Sequence, residues 1–156
     1  MRADLITTTT NVWSCIFERP VEALDSATDA LTEHASTVYA SIEFGGTGFT
    51  LIVATSEHVA RSWASTLFAC DESACTEDDL RDVMGELANV LAGGFKARLS
   101  SAIRLGLPES GFGLPGHLVT TSALDVGVLF TDLPGQFMIG LWQTDDAGLT
   151  GDTLVD

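Results

Sequence analysis

Glu86 and Asn89 stand close together in the run DVMGELANVLAGGFKARL (82–99), with Asp82 shortly before them. On a helix, positions three and four apart are neighbours, with roughly 5–6 Å between Cβ atoms. The three residues therefore project as one ridge. A carboxylate beside an amide offers two kinds of chemistry. The carboxylate can accept hydrogen bonds or pair with a cation, and the amide can both donate and accept. Gly85 and Gly93 flank the pair and Gly94 follows, although a glycine inside a helix costs about 0.5–1 kcal/mol relative to alanine. Missing side chains there clear space for a second surface. The same residues also suit an ordinary solvated helix face, with the glycines relieving packing against a neighbouring helix.

Other chemistries find less support. His34, His58 and His117 lie in separate segments without a nucleophile or ligand partner at recognisable spacing, and read as surface or loop residues. Ser110 and Ser122 have no nucleophile-elbow context, which argues against a covalent hydrolase intermediate. The glycines of 106–116 do not precede a helix in phosphate-loop order, against nucleotide binding. Cys15, Cys70 and Cys75 are an odd number without a secretory pattern, against a disulfide framework. Cys70 and Cys75 match no strong zinc spacing, so no metal site is expected and all three cysteines read as reduced small hydrophobes.

The ridge needs a helix beneath it. Thr76 followed by Glu77, Asp78 and Asp79 is an N-terminal signal, a hydroxyl cap with carboxylates in the first turn. At about 3.6 residues per turn, Leu80, Val83, Met84, Leu87, Leu91 and Phe95 fall on one side of a helix over 76–99. Asp82, Glu86, Asn89, Gly93 and Lys96 fall in a narrow band on the other.

Around that helix, 4–18 reads as a helix with Leu5, Ile6, Val12, Trp13, Ile16 and Phe17 at helical spacing, closed near Pro20. The polar, Ala-rich stretch 20–35 has no clear pattern. The β-branched and aromatic runs 36–44 and 48–55, separated by Gly45, Gly46 and Thr47, predict a hairpin. Ser56 caps a helix to about Phe68, with Val59, Trp63 and Leu67 at helical spacing, and an acidic CDESAC segment follows. Residues 104–116, rich in glycine and proline, read as a loop. Strands are expected at 117–122, 125–132 and 136–144, the last two joined by a turn at Leu133, Pro134 and Gly135. The tail from Asp145 is expected to fray. The order implies an α+β fold, a two-layer sandwich of helices packed on an antiparallel β-sheet, in one domain over 1–156. Two hairpins hint at a weak internal repeat.

Composition bounds the partners. The chain has 156 residues, 46% of them hydrophobic, enough to bury a core. Its net charge of -15, with Lys96 the single lysine, disfavours nucleic acid and anionic membrane surfaces, whose binding depends on Lys and Arg. No stretch reaches the roughly 18 apolar residues of a membrane span and no signal-peptide pattern opens the chain, so a cytoplasmic location is expected.

The ordered string DVMGELANVLAGGFKARL resembles the signature of the CheC/CheX/FliY phosphatases of bacterial chemotaxis: an acidic or small residue, then Glu, then Asn. Asp82, Glu86 and Asn89 occupy those places, within Gly-Glu-Leu-Ala-Asn and followed by Ala92-Gly93 and Lys96, as is typical of the CheX branch. Leu107-Pro108 is similar to that family's Leu-Pro element. The N-terminal helix has Thr8 where a second pair with Asn11 would need Glu, which points to the single-site branch.

The resemblance implies a CheC/CheX-like fold and hydrolysis of the aspartyl phosphate on a CheY-like response-regulator receiver domain. It also implies Asn89 as the residue that places water, Glu86 as the group that docks a receiver lysine, and Asp82, Gly85, Gly93 and Lys96 as partner-binding positions. No cofactor is expected on this chain, the Mg²⁺ being held by the receiver, and a homodimer is expected whose sheets associate. The competing readings are a catalytically silent module of the same fold in a signalling or flagellar assembly, and an unrelated α+β ligand-binding protein.

Overall fold

The computed structural model describes residues 1–24, 37–100, 102–113 and 123–143. Among the described residues, three α-helices and seven strands follow the order α1 (Arg2–Phe17), β1 (Glu22–Leu24), β2 (Thr37–Gly45), β3 (Phe49–Ser56), α2 (Glu57–Phe68), α3 (Glu77–Leu99), β4 (Arg104–Leu105), β5 (Glu109–Phe112), β6 (Ala123–Asp132) and β7 (Gly135–Gln143), with a short 3₁₀ turn at Glu72–Ala74. The strands make one sheet in the order β1-β6-β7-β3-β2-β4, with β5 also pairing β2. Every pairing is antiparallel. The hairpins β2/β3 and β6/β7 lie side by side, joined through β3 and β7. The expected sandwich of helices on an antiparallel sheet is therefore the fold.

Alternation along the strands sorts the core. Val38, Ala40, Ile42 and Phe44 of β2 and Leu51 and Val53 of β3 share a buried cluster with side chains of all three helices. Its aromatic centre is Trp13, which stacks on Phe137 with centroids 4.3 Å apart and meets Trp63 edge-on at 5.2 Å. On the opposite face, Leu24, Leu129, Met138, Ala54 and Tyr39 are successive cross-strand partners in a row, and they form a second apolar cluster with Trp142.

Both helix starts anticipated from sequence are capped. The Ser56 Oγ accepts the Val59 amide at 3.4 Å. Thr76 and Asp79 complete a reciprocal capping box, Thr76 N donating to Asp79 Oδ2 at 2.7 Å and Asp79 N to Thr76 Oγ1 at 3.2 Å. Donation from the Thr76 amide, and then from its hydroxyl at 2.8 Å, holds the Asp79 carboxyl below the usual range. The first helix ends at Glu18, which takes left-handed geometry with φ 53°.

Two expectations need correction. Residues 104–116 were expected to be loop, yet β4 and β5 pair along the free edge of β2, Leu105 opposite Phe44 and Phe112 opposite Val38. An unpaired strand edge supplies N–H and C=O groups that even a glycine-rich segment can satisfy. Cys15 was read as a small hydrophobe but is exposed on α1, and Cys70 is only half-buried. The strand expected at 117–122 and the tail from Asp145 lie outside the described residues, as do His34 and most of 20–35.

Candidate functional site

The ridge stands on α3, which packs against α1 and α2 and lies across β2 and β3. Leu80, Val83, Met84, Leu87, Leu91 and Phe95 are all buried, as their spacing requires. Ala88 and Ala92 are buried too, so the inner face is wider than the aliphatic stripe, because α3 touches helices on two sides.

Asp82, Glu86, Asn89 and Gly93 are exposed, while Gly85 and Lys96 are half-buried. The intact helix keeps all six on one side. Among the described residues, neither Glu86 nor Asn89 has a side-chain hydrogen bond or ion pair. Both groups are free to bind something else.

The three glycines have three different surroundings. A Cβ on Gly93 would meet no atom within 4 Å, so that position is open to an approaching molecule. A Cβ on Gly85 would lie 3.8 Å from the Pro108 ring. A Cβ on Gly94 would come within 2.9 Å of the Thr8 methyl on α1, so this glycine serves close packing of two helices rather than clearance on the ridge.

Pro108 reaches the ridge through an irregular pairing. Leu105 pairs with Phe44 and Glu109 with Ser41, so the β4–β5 segment carries one more residue than the stretch of β2 it follows. Proline has no N–H to give a ladder, and an extra residue re-aims side chains at a strand edge. The result is an open cleft of about 430 Å³ lined by Phe68, Arg81, Asp82, Gly85, Glu86, Pro108 and Ser110. Asp82, Gly85 and Glu86 thus share a cleft, whereas Asn89, Gly93 and Lys96 continue along the helix outside its lining.

Phe68, Arg81 and Ser110 were not singled out as part of this surface. Arg81 is held by Asp78 at 3.0 Å, by Glu77 at 3.8 Å, and by the Phe112 ring, 4.9 Å from its guanidinium carbon to the centroid. It stands one turn before Gly85, the only hint its position gave. Among the described residues no group of His, Cys, Asp or Glu could hold a metal ion, and no helix is long and apolar enough to cross a membrane.

Together these features define an α+β protein with an open polar ridge on a sheet-packed helix. The family model described as chemotaxis phosphatase CheX matches residues 38–119, more than half of the chain, and the chain belongs to this family. A search of curated proteins finds no match. Solved structures agree on the fold. The chemotaxis protein CheX from Vibrio vulnificus is 15% identical with a TM-score of 0.68, the match covering 90% of this chain and 93% of that one. A chain of the CheX–CheY–BeF₃–Mg²⁺ complex from Borrelia burgdorferi is 12% identical with a TM-score of 0.61, over 90% and 95%. A chain of the FliM–SpeE complex from H. pylori is 10% identical with a TM-score of 0.63, over 90% and 82%.

Proposed function

We propose that this protein hydrolyses the aspartyl phosphate of a CheY-like receiver domain, with Asn89 placing the attacking water and Glu86 docking the receiver. The observation that carries the reading is the pair itself: an acid and an amide, exposed and unpaired, on a capped helix whose other face is fixed in the core. An acyl phosphate is already reactive, so the catalyst mainly holds water in line with the bond to be broken. Water attacks phosphorus, the receiver carboxylate departs, and inorganic phosphate forms. The Asn89 amide orients that water without repelling the phosphoryl oxygens. Glu86 pairs with a receiver lysine, and the Mg²⁺ that offsets phosphoryl charge belongs to the receiver.

Asp82, Gly85, Gly93 and Lys96 extend the contact surface on either side. The vacant space at Gly93 supports close approach there, and the cleft beside Glu86 supports insertion of a receiver loop. On the outer sheet face Ala54, Leu129 and Met138 are already buried within one chain, and the half-buried Tyr39 and Trp142 beside them support a homodimer formed through the sheets.

The likeness to a FliM chain favours a second reading, a binding module of the same fold without catalysis. Phosphate release from a phosphorylated receiver separates the two. The wild-type chain should accelerate release. Asn89→Ala should lose about a hundredfold or more of that acceleration while still binding, and Glu86→Ala should weaken binding and rate together. Wild-type chain that binds the receiver without accelerating release would favour the silent module. Full activity in Asn89→Ala would overturn the mechanism.

A further inference from the structure

We propose that Cys70 and Cys75 are a redox modification site: a thiol pair that peroxide closes reversibly into a disulfide, tying the end of α2 to the start of α3. The two Sγ atoms lie 3.2 Å apart. A disulfide is about 2.05 Å long, so closure asks for a movement of about 1.2 Å. The same separation is too short for a shared metal, since tetrahedral zinc with Zn–S of about 2.3 Å spaces its sulfurs by about 3.8 Å.

The backbone holds the sulfurs together before any bond forms. Ala69 ends α2 in left-handed geometry, φ 51°, which turns the chain back on itself. The Ser65 hydroxyl donates to the Cys70 carbonyl at 2.5 Å, and the Cys70 amide donates to Ser65 O at 3.2 Å. At the other end, Arg61 Nη1 donates to the Cys75 carbonyl at 2.6 Å, and the Cys75 amide donates to Glu72 O at 3.3 Å. Little entropy remains to be lost on closure.

The two thiols differ in access. Cys75 is buried and Cys70 half-buried. Cys75 keeps its proton, its pKa being pushed up to about 11 by the hydrogen bond with Cys70 and then by burial. Cys70 is therefore the sulfur that a peroxide meets. Its thiolate attacks the O–O bond of ROOH, giving a Cys70 sulfenic acid and ROH once the alkoxide takes up the proton the thiol released. The Cys75 sulfur then attacks the Cys70 sulfur. The S–O bond breaks, and hydroxide leaves as water with the Cys75 proton. In sum, two thiols and ROOH give one disulfide, ROH and water.

The location gives the modification a consequence. Phe68, at the end of α2, lines the cleft beside Glu86, and Thr76, directly after Cys75, caps α3. The new bond would span the segment between them.

The test needs no phosphatase assay and stands apart from the receiver-directed reading. The full chain carrying Cys15→Ser, which removes an exposed competing thiol, is treated with stoichiometric hydrogen peroxide, alkylated with iodoacetamide and digested with trypsin. Peptide 62–81, which holds both cysteines, should appear unalkylated and about 2 Da lighter, and dithiothreitol should restore two alkylatable thiols. In Cys75→Ala the Cys70 sulfenic acid should persist and react with dimedone, at least tenfold more than in the parent chain. Two alkylatable thiols after peroxide, a Cys70 sulfinic acid as the main product, or disulfides only between chains would each overturn the proposal.

Discussion

Replacing Asp132 with asparagine should be among the most damaging isosteric changes available to this protein. The carboxylate sits at the end of β6, 5% exposed, and accepts five hydrogen bonds. The indoles of Trp13 and Trp63 each reach Oδ2 at 3.1 Å, and Arg19 binds bidentately at 2.6 Å through Nε and Nη2. The Leu133 amide adds a fifth bond at 2.8 Å. One group thus ties α1, α2 and the β6/β7 turn together. Asparagine offers a single acceptor oxygen, turns an NH₂ towards other donors and leaves Arg19 without a counter-ion. Breaking a buried ion pair from one side costs about 3–5 kcal/mol. The Arg19 side chain is 19% exposed and recovers some hydration, so about 3 kcal/mol is the working figure. At about 2–4 °C per kcal/mol for a chain of this size, Tm should fall by about 6–12 °C.

The same site sets an acid dependence. Burial pushes the Asp132 carboxyl up, but donation from Arg19, Trp13, Trp63 and Leu133 outweighs it and the net pKa is lowered. A carboxylate with a depressed folded pKa stabilises above its unfolded pKa of about 3.9 and loses that contribution as pH falls through the folded value. The stability gap between wild type and Asp132→Asn should therefore be full at pH 7 and narrow in acid below about pH 4. Urea titrations followed by tryptophan fluorescence would read both quantities, since two indoles contact the site. A variant within about 0.5 kcal/mol of wild type at pH 7, the range of an ordinary surface change, would refute the reasoning, as would a gap that does not narrow in acid.

Further expectations concern the glycines and the outer sheet face. Gly93→Ala should stabilise the fold by about 0.5–1 kcal/mol in thermal unfolding, because the added methyl meets nothing and helix propensity improves. The same variant should slow receiver dephosphorylation if a partner lies over that position, and unchanged kinetics would remove Gly93 from the contact surface. Gly94→Ala should instead destabilise, since its methyl would press on Thr8, and a raised Tm would contradict the packing assigned to it. Tyr39→Asp should shift a sizing profile from dimer to monomer, whereas a wild-type chain that is monomeric at high concentration would end the sheet-to-sheet proposal.

What could be read from the sequence depended on how far apart the cooperating residues lie along it. The ridge on α3 was legible because periodicity, cap and polar band all occur within one helix, and a helix converts spacing directly into direction. The hairpins were legible for the same local reason. Thr8 and Thr9 were not placed inside, because hydroxyls pattern as polar; both are nevertheless buried, with hydroxyls that find no partner among the described residues. The Thr8 methyl packs against Gly94 on another helix. Pro108 drew attention only through a family likeness, and its place beside Gly85 follows from an edge pairing that local pattern did not reveal. Asp132 read as the end of a strand, since its donors come from positions 13, 19 and 63 as well as its own turn. The close approach of Cys70 and Cys75 depends on a left-handed alanine that no residue rule anticipates. Residues that act on a partner were clustered in sequence, while those that hold the acting helix in place were dispersed. The dispersed set determines where the ridge stands, so a lost clasp at Asp132 should affect Glu86 and Asn89 without touching either.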